Sequence, residues 1–344
     1  MDAFLHLQDH ARLRICEQTA ARLGLNPVAI EKDFWACWTL HELCALAEWG
    51  EHFTLKRGTS LSKAWHHIER FSEDLDIVID RAFLGFGAEA GPERARSKTQ
   101  QKKRLEALKT ACQERIRASL MPALRTRLEV VLPATLRWKI EEDAGDPDEQ
   151  TLLFHDPAVV AAGRYVQPVV RLELGARSDT EPCETPQIQA YVCQEFPEVV
   201  GVGMFPVRTV AARRTFWEKA LLLHEETFRP QDKPRKERLA RHYYDVFRLI
   251  VNGVADEALA DAGLLDRVLA HRAIFFGWSW VDYHTISPAT LRLVPPHEHL
   301  AAWRQDYRAM HGEMFFREPP AFDEVLQVVG QFEDRCRKTA REAV

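Results

Sequence analysis

The chain has 344 residues, 46% hydrophobic and 28% charged, which is the balance of an ordinary globular protein. Its 46 Lys and Arg against 51 Asp and Glu give a net charge of −5, so overall charge does not draw it to polyanions. No apolar run approaches the ~20 residues of a membrane span, the first residues lack a signal-peptide core, and seven scattered cysteines include no CxxC pair, which leaves no zinc or disulfide framework. A cytoplasmic protein is expected.

In chain order, Leu13, Cys16, Ala20 and Leu23 form a stripe at helical spacing. Asn26 and Pro27 then read as the cap and first turn of a second helix, in which Cys37 and Cys44 are small buried hydrophobes. HFTLKR is a short strand, Gly58 breaks it, SLSKAWHHI reads as a short helix, and DLDIVID is a second strand. PERARSKTQQKKRLEALKTACQERIRASL is a long charged helix. The period then changes to two, which predicts strands at RLEVVLP, TLRWKI, TLLFHD, YVQPVVRLELGAR and PQIQAYVC.

From about Val207 helices return, at RTFWEKALLLHEETF, PRKERLARHYYDVFRLIVN, EALADAGLLDRVLAHRA, HEHLAAWRQDYRAM and FDEVLQVVGQFEDRCRKTA. An aromatic, Pro-containing stretch, FFGWSWVDYHTISPATLRLVPP, lies among them as an ordered packing loop, and HEH at His297 is a helix entry. These elements predict an α+β protein in three parts: N-terminal helices over 1–50, a mixed-sheet core over 51–206 and a helical C-terminal lobe over 207–344.

Chemistry concentrates in Ser72, Glu73, Asp74 and Asp76, an acidic cluster running into Ile77, Val78 and Ile79. On a strand Asp74 and Asp76 project from one face, ~6.5 Å apart at Cα, with Leu75 turned into the core. Paired carboxylates of this kind can chelate Mg²⁺, which cancels their repulsion and serves phosphoryl or nucleotidyl transfer. Glu173, an acid within the apolar run VVRLELG, is either a third ligand or a solvated edge residue. Gly58, Thr59 and Ser60 sit between strand and helix, where amides and hydroxyls can bind phosphate, with Lys63 beside them.

Farther on, Lys219 lies on the apolar stripe Phe216–Leu223, either snorkelling or reaching a phosphate. Asp245 borders the Leu239–Tyr243–Val246–Ile250 face, where an ion pair with Arg241 or Arg248 would account for it. The basic runs Arg94–Lys109 and Arg229–His242 read as solvated helix faces or as phosphate-tracking surfaces.

Together GTSLSKAWHHIERFSEDLD, RLEL, FWEKALLLHEE and RHYYDVFRL resemble the successive motifs of the AbiEii/AbiGii nucleotidyltransferase toxin family of type IV toxin–antitoxin and abortive-infection systems. LGLNPVAIEKDFWACWTL and HLAAWRQDYRAMHGEMFF extend the likeness over nearly the whole chain. The resemblance implies a DNA polymerase β-like nucleotidyltransferase core with a helical C-terminal lobe. It also implies Mg²⁺-dependent transfer from an NTP to an RNA acceptor, the tRNA 3′ end, with growth arrest and a cognate winged-helix antitoxin. In its terms Asp74 and Asp76 hold metal with Glu173, and Ser72 precedes the first aspartate. Lys219 is the motif lysine and Asp245 the late helical aspartate. Arg57 departs from the pattern, standing where glycine is common and placing the phosphate turn in question. A non-catalytic NTP- or protein-binding module, and nucleotidylation of a small molecule or protein, are the other readings left open.

Overall fold

The computed structural model describes residues 1–70, 72, 74–161, 167–230, 232–311, 314–315 and 317–342, with side chains through 338. Two compact units emerge: unit 1 is Met1–Trp65 with Phe71–Val210, and unit 2 is His66–Arg70 with Ala211–Val344.

Unit 1 contains helices α1 (Asp2–Leu5), α2 (Asp9–Leu23), α3 (Pro27–Cys44), α4 (Arg57–Thr59), α5 (Lys98–Arg115), α6 (Met121–Val131), α7 (Tyr191–Glu195) and α8 (Pro197–Val200). Its strands are β1 (Phe53–Lys56), β2 (Asp74–Ile79), β3 (Lys139–Glu142), β4 (Thr151–His155), β5 (Val169–Gly175), β6 (Cys183–Glu184), β7 (Gln187–Ile188), β8 (Phe205–Pro206) and β9 (Thr209–Val210). Seven of them form a mixed sheet in the order β3-β4-β5-β2-β1-β9-β6, while β7 and β8 pair separately. β2 runs antiparallel to β1 and parallel to β5. The alternation read from VVRLELG holds: Val170, Leu172 and Leu174 are buried, and Val169, Arg171 and Glu173 share the opposite, part-exposed face.

Helix α3 begins as expected, with the Asn26 side chain accepting a hydrogen bond from the Val28 amide at 2.9 Å and Pro27 in the first turn. Trp35 and Trp38 meet edge-on at 5.6 Å between ring centroids and both reach Phe154 of β4, which ties the helix to the sheet. More unusual are the charges buried on the same helix. Glu31 accepts the Val159 and Val160 amides at 2.8 Å, Lys32 donates to the Gln167 and Val169 carbonyls, and Asp33 accepts the Tyr191 amide at 2.8 Å. Each buried charge thus satisfies backbone groups of a distant segment, which offsets its desolvation.

Unit 2 is built from α9 (Ala212–Thr227), α10 (Arg241–Val251), α11 (Val254–Ala260), α12 (Leu264–Phe275), α13 (Leu300–Ala309) and α14 (Phe322–Glu342). Tyr243 of α10 sits edge-on to Trp303 and Phe322, and Phe216 of α9 sits edge-on to Phe332, so aromatic contacts knit the bundle.

Several sequence expectations need correction. RLEVVLP is not a strand; most of it closes α6. Leu108, Cys112, Ile116, Leu120, Leu124 and Leu128 form one buried stripe at four-residue spacing, while Val130 is 76% exposed. Such a stripe drifts ~40° per step on a 3.6-residue helix. The π-helical turn Ile116–Leu120, just before Pro122 removes an amide, takes back part of that drift. PQIQAYVC gives only the two-residue β7 before α7, whose first residue, Tyr191, donates its amide to Asp33.

The helix expected from Pro234 starts at Arg241: Arg238 has φ 63°, and Asp306 accepts the amides of Arg238 and Ala240 at 2.6 and 2.8 Å, capping the helix from a remote position. EALADAGLLDRVLAHRA is two helices, since Gly263 at φ 77° breaks it. TLRWKI becomes strand only from Lys139, and YVQPVVRLELGAR from Val169; Tyr165 and Val166 of the latter lie outside the described residues.

Unit 2 also stores acid sensitivity. Buried His224 accepts the Arg292 amide through Nδ1 at 2.9 Å, and burial, with Arg292 close by, lowers its pKa from 6.5 to about 4. A folded pKa below the unfolded one gives stability that is complete above pH 6.5 and is lost as pH falls toward 4. The full shift is worth up to about 3 kcal/mol. Urea denaturation at pH 7.5 and 4.5 is therefore expected to show a smaller acid loss for His224→Asn than for the wild type; equal losses would exclude His224 as the source.

Candidate functional site

The carboxylates that drew attention in the sequence meet at the centre of the unit 1 sheet. Parallel pairing of β2 with β5 sets Asp74 beside Arg171 and Asp76 beside Glu173, with Leu75 against Leu172 beneath them. Asp74 therefore opens a central strand, and Asp76 is buried at 6% exposure. The Glu173 side chain keeps 36% of its surface, yet burial, Asp76 and Asp74 together raise its pKa to about 7. Three acids placed on neighbouring positions of two strands leave an excess of negative charge that needs a cation.

Arginines answer that excess here. The Arg57 guanidinium stands 2.7 Å from Asp76 Oδ1 and 3.6 Å from Glu173 Oε2. Arg171 Nε lies 3.4 Å from Asp74 Oδ1, while its Nη1 is 2.8 Å from Asp143 Oδ2. Among the described residues no three His, Cys, Asp or Glu side chains gather closely enough to hold a metal ion as they stand. The donor set nevertheless fits a hard divalent cation: carboxylate oxygens on paired strands, two of which already converge on one positive group. Neither Arg57, Arg171 nor Asp143 was singled out as a charge partner from sequence. Only the departure at Arg57 from a glycine position signalled anything.

The turn before β2 is tied to it. Thr59 Oγ1 donates to the Asp74 carbonyl at 2.5 Å, and Ser60 Oγ donates to the Arg57 carbonyl at 2.8 Å. Both hydroxyls are thus engaged within the protein, and Gly58, Thr59 and Ser60 are buried. Arg57 itself adopts φ 62°, the left-handed region that favours glycine and costs other residues roughly 1–2 kcal/mol. Lys63, expected to face phosphate, pairs instead with Asp33 at 2.7 Å and lies 3.6 Å over the Tyr191 ring. Burial would lower its pKa, but Asp33 together with Cys37 and Tyr191 outweighs burial and raises it, so the amine stays charged inside the protein. Ser72 is part-buried just before the strand; Glu73 lies outside the described residues.

In unit 2, Lys219 of α9 and Asp245 of α10 are partners. Asp245 Oδ2 is 2.8 Å from Lys219 Nζ, and Arg70 grips both oxygens of the same carboxylate at 2.7 Å through Nε and Nη2. All three side chains are buried, at 6%, 0% and 3% exposure for Lys219, Asp245 and Arg70. Burial alone raises the Asp245 pKa, yet Arg70 and Lys219 outweigh it and hold the group well below the usual carboxylate range. Lys219 shifts down, chiefly through burial, which its attraction to Asp245 does not fully offset. Sequence spacing pointed to Arg241 or Arg248 for Asp245; its partners are Lys219 and Arg70, the latter 175 residues away, which no helical periodicity could reveal. The bidentate fork replaces a local i,i+4 pair with a link that fixes one geometry.

The basic runs behave more simply. On α5, Lys109 pairs with Asp148 at 2.8 Å, and Arg104, in the same run, donates to the Glu89 and Gly91 carbonyls. In the other run Arg229 and Arg235 both pair with Glu226, and Arg235 also lies over Trp303.

No curated protein matches the chain. A solved structure, MenT4, a nucleotidyltransferase toxin from Mycobacterium tuberculosis H37Rv, is similar over 96% of this chain and 99% of that one, at 16% identity and a TM-score of 0.35, too loose a superposition to assign any residue. The family model of the nucleotidyl transferase AbiEii toxin of type IV toxin–antitoxin systems matches residues 40–328. That span includes every acid of the sheet and the buried Arg70, Lys219 and Asp245, and the chain belongs to the AbiEii nucleotidyltransferase toxin family.

Proposed function

We propose that this nucleotidyltransferase toxin moves a nucleotide from an NTP to an RNA acceptor, the 3′ end of a tRNA, and arrests growth until a cognate winged-helix antitoxin restrains it. The observation that carries this reading is the register of β2 on β5, which sets Asp76 directly across from Glu173 and leaves Asp74 two residues away on the same strand. Asp74, Asp76 and Glu173 would hold Mg²⁺. When bound, that ion supplies neutralisation of phosphate charge and Lewis-acid polarisation of the transferred phosphoryl group.

The chain's own residues do the rest. Gly58 leaves the turn without a side chain where triphosphate would approach. Thr59, by its bond to the Asp74 carbonyl, fixes that turn to the strand carrying the acids. Lys63 on Asp33 supports the turn from inside unit 1, and Ser72 stands part-buried two residues before Asp74. Asp245 orients Lys219 and favours its charged form against burial within unit 2, with Arg70 on the same carboxylate. No helix among the described residues is long and apolar enough to cross a membrane.

Purified protein incubated with Mg²⁺, tRNA and each labelled NTP in turn is expected to label tRNA 3′ ends. Asp76→Asn should lower that labelling by roughly three orders of magnitude. No labelled tRNA with any NTP, or an Asp76→Asn variant as active as wild type, would overturn the reading. For the unit 2 triad, Asp245→Asn leaves two buried cations uncompensated and should cost about 3–5 kcal/mol of stability. Adding Lys219→Met should recover part of it, as urea denaturation can show; a wild-type midpoint for Asp245→Asn would remove the triad's structural role.

A further inference from the structure

We propose that Arg57 is a built-in competitor for the divalent cation, its guanidinium holding the same carboxylate oxygens of Asp76 and Glu173 that the metal needs. The inference rests on the reading of these acids as metal ligands and adds how their loading is set. Three observations support it. The guanidinium reaches both acids, at 2.7 and 3.6 Å, so one positive group spans the pair. Its side chain is 49% exposed although Asp76 beside it is buried, so the guanidinium can swing into water without opening the fold and leave the carboxylate to an incoming cation.

The third observation is the backbone. Arg57 sits at φ 62°, in the left-handed region, although Gly58 follows immediately and a glycine would adopt that conformation without strain. An arginine kept at a strained position, aimed at two carboxylates, points to a use for its charge. Arg171 cannot play the same part, because its closer contact is to Asp143 rather than to the Asp76–Glu173 pair. Without a competing cation the acids remain neutralised by the protein itself, and metal enters only as the guanidinium leaves.

Mn²⁺ binding, followed by the electron paramagnetic resonance signal of the free ion with no nucleotide present, tests this apart from activity. Arg57→Gly and Arg57→Gln should each lower the half-saturating Mn²⁺ concentration about tenfold, since both remove the charge. Arg57→Gln keeps a long side chain on the strained backbone, so it isolates charge from conformation. Tightening in Arg57→Gly alone would show that backbone release is responsible and overturn the inference. Unchanged binding in both variants, with Asp76→Asn abolishing it, would also overturn it while leaving the metal site standing. Absence of Mn²⁺ binding in wild type and both variants would overturn the carboxylate reading, and the competitor with it.

Discussion

Everything proposed for unit 1 depends on one pairing, β2 lying parallel to β5 with Asp76 opposite Glu173. Parallel neighbours cannot be joined by a tight turn, so the two strands come from stretches almost a hundred residues apart, separated by α5, α6 and the β3–β4 hairpin. The register is held from below, where Leu75, Ile77, Leu172 and Leu174 are all buried. A one-residue slip would send those side chains to the polar face and the acids into the core, which the hydrophobic term forbids. Core packing on one face therefore aims chemistry on the other.

A second theme is how much charge this protein buries, and how fully it is answered. Glu31, Lys32 and Asp33 follow one another on a helix whose flanks are aromatic, and each is satisfied by backbone or by a buried partner. Arg70, Asp245 and Lys219 do the same in unit 2. Such groups add little net stability over an apolar replacement, because desolvation consumes most of their attraction. Their contribution is geometric: Asp33 both anchors Lys63 and accepts the Tyr191 amide at the start of α7. Arg70 lies two residues before Ser72 in sequence, yet its side chain is fixed by α10 of unit 2.

The elements that were legible from sequence share a physical cause. β1, β2, β4, β5, α3 and α9 each bury apolar residues dense enough to mark the element within its own segment, β5 by strict alternation, and α3 adds a cap that acts locally. The misread ones were decided from outside their own segment. RLEVVLP carries β-branched residues, but Leu124 and Leu128 continue a stripe begun at Leu108. Arg241 begins α10 because Asp306, more than sixty residues later, takes up the amides before it. Local propensity is a weak term and gives way wherever a distant side chain claims a backbone group.

For the candidate site the division is similar. Asp-x-Asp at the mouth of an apolar strand was visible in sequence, since alternation alone puts both carboxylates on one face. The Glu173 alternatives, ligand or solvated edge, could not be separated there, because a single strand does not reveal its neighbour. What the sequence by itself determined was residue type and phase: which side chains are acidic, which face of each strand they occupy, and the motif order of an AbiEii nucleotidyltransferase. Only the tertiary structure decided partners, bringing Glu173 to Asp76, Arg57 between them, Lys63 to Asp33 and Arg70 to Asp245. Phase follows from backbone geometry within a few residues, whereas partnership follows from how distant segments pack.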